Sequence, residues 1–231
     1  MVTTSSIEAA LGAMPFFAGL DAAALDRVVS GTRVRRFRRG EVIFHLGDPG
    51  DALFAIVSGG VKITLPSETG DEAILATLQA GDVFGELSLL DGAPRSATAT
   101  ALEPTETMVL QRDAFRQLLA SEPSIRDALL AALASEVRRL TIHVEELHFL
   151  DVTGRLAKSL VRLAEEGRHA DDGTIRLRSP LSQSDLAAMV GCTRQSVNRV
   201  IGQFTDDRLI RVDRESIIVL DLAGLERAAR R

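Results

Sequence analysis

Residues 33–110 alternate short apolar runs with Gly/Asp punctuation. Glu41–Phe44, Leu53–Val57, Val61–Leu65 and Ala73–Leu78 are separated by stretches such as Leu46–Asp51, Ser58–Gly60 and Glu68–Asp71. Runs of this length at this spacing predict strands of an antiparallel sandwich or barrel-like roll. Pro49-Gly50 and Gly59-Gly60 mark turns. Before this region, residues 7–30 read as short helical stretches, with Leu20-Asp21 placed to start a helix over Ala22–Val29. From about Glu122 the period changes. Leu130, Leu133, Val137, Leu140, Val144 and Leu147 recur at alternating intervals of three and four, the a/d rhythm of a helix seam. Ser121 to Ser124 offers cap residues and a Pro suited to a first turn. Such a stripe packs either on its own domain or against a second copy of the helix, and the latter predicts a two-fold homodimer. Asp151–Arg155 interrupts the seam. Asp151 or Thr153 is placed to cap a further helix, Arg155–Glu166, followed by a polar loop, Gly167–Gly173.

Composition changes this picture in one respect. The chain has 231 residues, 45% hydrophobic and 26% charged, with a net charge of -5. That is the make-up of an ordinary folded chain and excludes disorder as the main state. No apolar run is long enough to span a membrane, and the start shows no basic region ahead of its apolar part, so no secretory leader is expected. One cysteine, Cys192, excludes an intrachain disulfide and an all-cysteine iron–sulfur site within one chain, and it suits a reducing cytoplasm. The charge is uneven. Residues 1–150 carry -7 and residues 151–231 carry +2, with arginine supplying nearly all the bases of the second part. An acidic total therefore hides a part suited to nucleic acid.

Within that second part, Leu181–Ile201 holds the densest signals. Ser182 with Asp185 forms a capping-box pattern, and Leu186, Met189 and Val190 give a first helix its apolar face. Gly191 suits a left-handed helix end. Thr193 then caps a second helix whose Val197, Val200 and Ile201 face inward. Arg194, Gln195, Asn198 and Arg199 fall on its outer side. Helix, short glycine turn and helix is the pattern of a DNA-reading unit. Arg forks pair with guanine O6 and N7, and Gln with adenine N6 and N7. The alternative is an ordinary solvated helix face. Arg208–Arg211 and Ser216–Val219, separated by Asp213–Glu215, read as a β-hairpin wing.

Phe84–Thr98 carries a second candidate site. A helical turn beginning near Gly85 aims backbone N–H groups at an anion. Arg95 offers a planar fork for phosphate, Ser96 a hydroxyl, and Glu86 an acceptor for a ribose hydroxyl. An Arg–Glu pair in a β domain also serves as a plain ion pair, so these residues alone leave both readings open.

The segment Phe84-Gly85-Glu86-Leu87, continued by Pro94-Arg95-Ser96-Ala97, resembles the phosphate-binding cassette of cyclic-nucleotide-binding domains. With Gly40–Lys62, Phe149–Arg155 and Val190–Arg199, it makes nearly the whole chain similar to the cAMP receptor protein (CRP/FNR) family of bacterial transcription regulators. The resemblance implies an α+β chain. An N-terminal antiparallel β-roll of the cyclic-nucleotide-binding jelly-roll kind would span residues 1–121, a long dimerisation helix 122–150, and a C-terminal winged helix-turn-helix 151–231. It implies cAMP as effector, held by Gly85, Glu86, Leu87, Ser88, Arg95 and Ser96, with Thr141 of the long helix near the base. DNA would be met by Ser182, Thr193, Arg194, Gln195, Asn198 and Arg199. Double-stranded DNA, a second copy of the chain and RNA polymerase are the implied partners, in the cytoplasm.

Two positions depart from the family pattern. Leu140 stands where cAMP-responsive members often place a polar residue, which reopens the choice among cAMP, cGMP, a cyclic dinucleotide or no effector. Gln195 stands where the family places an acidic base reader, which predicts a changed preference at that step. A cupin-like metalloenzyme on the roll would need clustered histidines and carboxylates, and of four histidines only His45 lies there. Nothing in the chain suggests a catalytic triad.

Overall fold

The computed structural model describes residues 11–67, 72–165, 167–170, 173–177, 181–213 and 216–230. It separates into two compact units, one ending at Arg138 and the other beginning at Arg139. This division falls inside the long helix, upstream of the boundary that the Asp151–Arg155 interruption suggests. Three expected segments, the start of residues 7–30, the turn Glu68–Asp71 and the centre of the wing turn Asp213–Glu215, lie wholly or partly outside the described residues, as does part of the loop Gly167–Gly173.

In the first unit, helix α1 (Ala22–Ser30) starts where Asp21 accepts a hydrogen bond from the Ala24 N–H at 2.7 Å. Eight strands follow: β1 (Thr32–Phe37), β2 (Val42–Phe44), β3 (Ala52–Ser58), β4 (Gly60–Pro66), β5 (Glu72–Gln79), β6 (Val83–Phe84), β7 (Thr98–Ala101) and β8 (Thr105–Gln111). A short helix α2 (Leu87–Asp91) lies between β6 and β7. The strands form two four-stranded sheets, ordered β1-β8-β3-β6 and β2-β7-β4-β5, with antiparallel pairing throughout. The roll expected from the strand spacing is therefore present. Phe37, Ile43, Phe54, Ile56, Val61, Phe84 and Ala99 fill the space between its walls. Burial on both faces explains why β3 reads as a continuous apolar run rather than an alternating one.

Helix α3 (Arg112–Ser121) follows β8 and is not signalled by the strand pattern. Helix α4 (Pro123–Phe149) is the long seam helix, with Pro123 in its first turn. Its apolar residues divide between two roles. Ile125 and Leu129 are buried in the first unit's core, with Leu133 packed beside them. Leu130, Val137, Leu140, Val144 and Leu147 stay exposed. Leu133 thus belongs to its own domain, while the rest of the a/d stripe is uncovered in the single chain.

The second unit takes the end of α4 and then α5 (Val152–Glu165), β9 (Arg168–His169), β10 (Ile175–Arg176), α6 (Gln183–Val190), α7 (Arg194–Asp206), β11 (Ile210–Asp213), β12 (Ser216–Val219) and α8 (Leu222–Ala228). Asp151 caps α5 by accepting from the Gly154 N–H at 2.7 Å. The helix therefore begins at Val152 rather than Arg155, and Thr153 falls in its first turn. Strands order β11-β12-β10-β9. β9 and β10 are two residues each, too short for a periodic signal. The hairpin is present, but β11 starts at Ile210 and not Arg208. Arg208 adopts a left-handed φ of 57° in the turn that ends α7. Leu156, Leu160, Leu186, Val190, Val197, Phe204, Ile210 and Leu225 form this unit's core.

Candidate functional site

The cassette is built by the loop from β6 through α2 to β7. Gly85 has φ of +84°, and a Cβ there would lie 2.7 Å from Nη1 of Arg95. Only glycine meets both the backbone conformation and the close approach. Gly50 closes the site from the β2–β3 loop, since a Cβ on it would sit 2.1 Å from the Ser88 Cβ and 3.4 Å from Cζ of Arg95. That loop is strapped to the cassette by Arg95 N–H to Asp48 O and Gly47 N–H to Arg95 O, each 2.9 Å.

Arg95 is the centre. Its side chain is 4% exposed. Nη1 donates to the Gly85 carbonyl and Nη2 to the Ala52 carbonyl, both at 2.7 Å. The guanidinium lies over the rings of Phe44, at 4.3 Å, and Phe54, at 5.7 Å, while Phe54 stacks on Phe84. Burial lowers its pKa, and the carboxylates of Asp51 and Glu86 oppose that shift. A guanidinium has five donors. Two are spent on carbonyls, and Nε is buried without a partner among the described residues. A buried, held cation with donors to spare fits an anion with several acceptor oxygens.

Glu86 immediately precedes α2, and its side chain does not cap that helix. The helix's first N–H groups are left out of its own ladder, as at any helix start. Burial raises the Glu86 pKa most; a backbone hydrogen bond opposes it, the like charge of Glu136 adds to the rise, and Arg95 lowers it. Leu87 and Ser96 are exposed, and Ser88 is buried beneath Gly50. Gly85, Glu86, Leu87, Ser88, Arg95 and Ser96 thus gather around one loop. Thr141 is exposed on the part of α4 that belongs to the second unit. Arg112 is a residue that the motif did not reveal. Its Nη2 donates to the carbonyls of Gly50 and Ser88, the latter at 3.2 Å, and ties both walls together.

In the second unit, Ser182 and Asp185 complete the capping box. The Ser182 hydroxyl accepts from the Asp185 N–H at 3.1 Å, and the carboxylate accepts from the Ser182 N–H at 2.9 Å. α6 ends at Gly191 in the left-handed conformation. Thr193 caps α7 by accepting from the Ser196 N–H at 3.2 Å. Val197, Val200, Ile201 and Phe204 anchor the inner face of α7. The side chains of Arg194, Gln195, Asn198 and Arg199 are exposed and make no hydrogen bond or ion pair among the described residues. Their forks are free to meet a partner. Among the described residues no three His, Cys, Asp or Glu side chains cluster as a metal site.

Two family models match the chain, the cyclic nucleotide-binding domain over residues 34–122 and the Crp-like helix-turn-helix domain over residues 154–228. The chain is 35% identical over 214 residues to the CRP-like cAMP-activated global transcriptional regulator of Mycobacterium tuberculosis, a match covering 93% of this chain and 96% of the relative. It is 33% identical to the cyclic AMP receptor protein of Thermus thermophilus, covering 93% and 96%. Among solved structures, the c-di-GMP-responsive global regulator CLP of Xanthomonas campestris superposes with a TM-score of 0.77 at 25% identity, covering 86% of this chain and 99% of that one. The catabolite activator protein of Thermus thermophilus gives 0.53 at 32% identity, covering 93% and 98%.

A nucleotide-binding roll and a Crp-like helix-turn-helix in one chain define a cyclic-nucleotide-responsive, DNA-binding transcription regulator. The chain belongs to the cAMP receptor protein (CRP/FNR) family, whose members are transcription regulators and not enzymes.

Proposed function

We propose that this regulator binds cAMP in the roll, acts as a homodimer joined along α4, and then reads double-stranded DNA with α7 of each copy. Arg95 carries the reading. It is a buried cation with an unpartnered Nε, set between Gly85 and Gly50 and next to an acidic Glu86. Arg95, Ser96 and the N–H groups near Gly85, Leu87 and Ser88 hold the cyclic phosphate, and Glu86 accepts from the ribose 2′-hydroxyl. Thr141 is assigned to the base, and the cAMP-activated relatives from two organisms support that nucleotide. The exposed stripe Leu130, Val137, Leu140, Val144 and Leu147 supports dimerisation, because a row of large apolar side chains gains by being covered. Arg194 and Arg199 pair with guanines, Gln195 with adenine, and Asn198, Ser182 and Thr193 with bases or backbone. At the promoter the dimer engages RNA polymerase, an assignment resting on the relatives' role as transcriptional regulators. None of the described helices is long and apolar enough to cross a membrane; the proposed cytoplasmic site of action rests on the relatives' role as transcriptional regulators.

Calorimetric titration of the full chain with cAMP, cGMP and cyclic di-GMP tests the effector, followed by DNA binding with and without the nucleotide that binds. Tight binding of cAMP that raises DNA affinity is the expected result. A preference for cyclic di-GMP would replace the effector and keep the architecture, as the likeness to CLP allows.

A further inference from the structure

Residues 139–149 of α4 belong to the same compact unit as the DNA-reading helices. Of these residues, all of them described, Glu146 alone is buried, with 3% of its surface exposed. Leu140, Val144 and Leu147 on the same stretch face outward. Beyond the packing of Leu147 near Gly191 and the Arg155 bond to the Leu150 carbonyl, this end of the helix carries an ionic hold. Lys158 Nζ lies 3.2 Å from Oε1 of Glu146, and Arg162 Nη1 lies 3.6 Å from the same oxygen. Lys158 and Arg162 are four residues apart, so they stack on one face of α5. His143 Nδ1 is 3.9 Å from the other carboxylate oxygen. Both cationic side chains are part-exposed, whereas the Glu146 side chain is almost fully enclosed. A buried carboxylate is tolerated only where opposite charge meets it, so α4 and α5 are fixed at this point by a contact that fails if either side shifts.

We propose that Glu146, clamped by Lys158 and Arg162, is a positioning residue that fastens the last turns of α4 to α5, so that an effector-induced change reaching α4 is delivered to the recognition helix. This rests on the functional reading above. Nothing in the cassette or on the DNA face includes these three side chains.

The test uses the full-length protein and Glu146→Gln, which removes the charge and keeps the size. Nucleotide affinity is expected to stay within about twofold, as for a distant, independent site. The nucleotide-dependent gain in DNA affinity is expected to fall by about tenfold or more, a typical allosteric coupling. Backbone amides of residues 139–149 should exchange with solvent faster while those of α6 and α7 hold. A gain in DNA affinity equal to that of the unaltered protein would overturn the proposal. The double variant Glu146→Met with Lys158→Met replaces the ionic contact by an apolar one. Recovery of the gain there supports fastening as the role, and its loss in a folded protein overturns it. Should the Gln variant not fold, this pair decides alone. If the unaltered chain binds no nucleotide, the functional reading has failed, and amide exchange still reports on the clamp separately.

Discussion

The two proposed binding regions use arginine in opposite ways. Arg95 is buried, fixed by two carbonyls and set over aromatic rings. Arg194 and Arg199 are exposed and held by nothing among the described residues. A small ligand has few atoms with which to offset the ordering of a long side chain, so its site is preorganised by the fold. A DNA duplex offers many contacts, and adaptable side chains on a rigid helix can settle against whichever base edge they meet. The difference also divides the stability of the protein from its function. On the proposed reading Arg95 belongs to both, whereas Arg194 belongs to function alone.

Arg95→Leu is the largest test of that division. Losing charge-assisted bonds to a phosphate should weaken nucleotide binding by about 3 kcal/mol, roughly two orders of magnitude. The sequence alone leaves Arg95 as either a ligand contact or one half of an ion pair. The structure adds that its removal strands the buried Ala52 carbonyl and the part-buried Gly85 carbonyl, so thermal unfolding should also show a loss of about 2 kcal/mol. Unchanged melting would separate the two roles and break the comparison. Arg194→Ala comes next. It should weaken binding to a cognate operator by about 1–3 kcal/mol and relax the preference at the guanine it reads. Its melting curve should not move. Anisotropy titrations against the operator and a single-base variant measure this, and a shifted melting temperature would show that the arginine is not free.

The same contrast decides what the sequence could reveal. Caps, turn glycines and periodic stripes are local, so Asp21, Asp151, the box Ser182 and Asp185, and Thr193 are legible from neighbours a few residues away. The cassette is legible because its residues lie within one short loop. The floor beneath Arg95 is not, since Ala52, Phe44 and Phe54 reach it from other strands. Arg112 opens a helix far along the chain from the Gly50 it grips. Glu146 reads as one more polar residue between seam positions, and only the packing of α5 across it shows that it is buried. The split of the seam was equally hidden, because Leu129 and Leu130 are adjacent and differ only in what the roll places against them.

Glu86 sharpens the comparison through pH. Its pKa is raised mainly by burial, with Glu136 adding to the rise against a backbone hydrogen bond, so protons compete with the ribose hydroxyl for the carboxylate. Nucleotide affinity should therefore fall as pH drops through that raised value and level off above it. Folding carries the opposite sign. A carboxyl held above its unfolded pKa favours the folded state most at low pH, and that contribution is lost as pH rises through the folded value. Glu136→Gln removes the like charge, so the fall in affinity should move to lower pH, with a gain of less than about tenfold at mildly acidic pH. An unmoved calorimetric pH profile would show that Glu136 does not act on the site.

The smallest expected effect concerns Ser182, which the sequence offers both as a helix cap and as a DNA contact. The Ser182 hydroxyl already accepts the Asp185 N–H and donates to its carboxylate at 2.7 Å. Any DNA phosphate it meets must share that oxygen. Ser182→Ala should therefore cost about 1 kcal/mol of folding stability through the lost cap. Its effect on operator affinity should be only a few tenths of a kcal/mol, well below that of Arg194→Ala. This is the reverse of the Arg194 result, a moved melting curve with nearly unmoved binding. If Ser182→Ala instead weakens DNA binding as much as Arg194→Ala does, with stability intact, the cap is not the hydroxyl's main task. The line between committed and free polar groups would then have to be redrawn within the second unit itself.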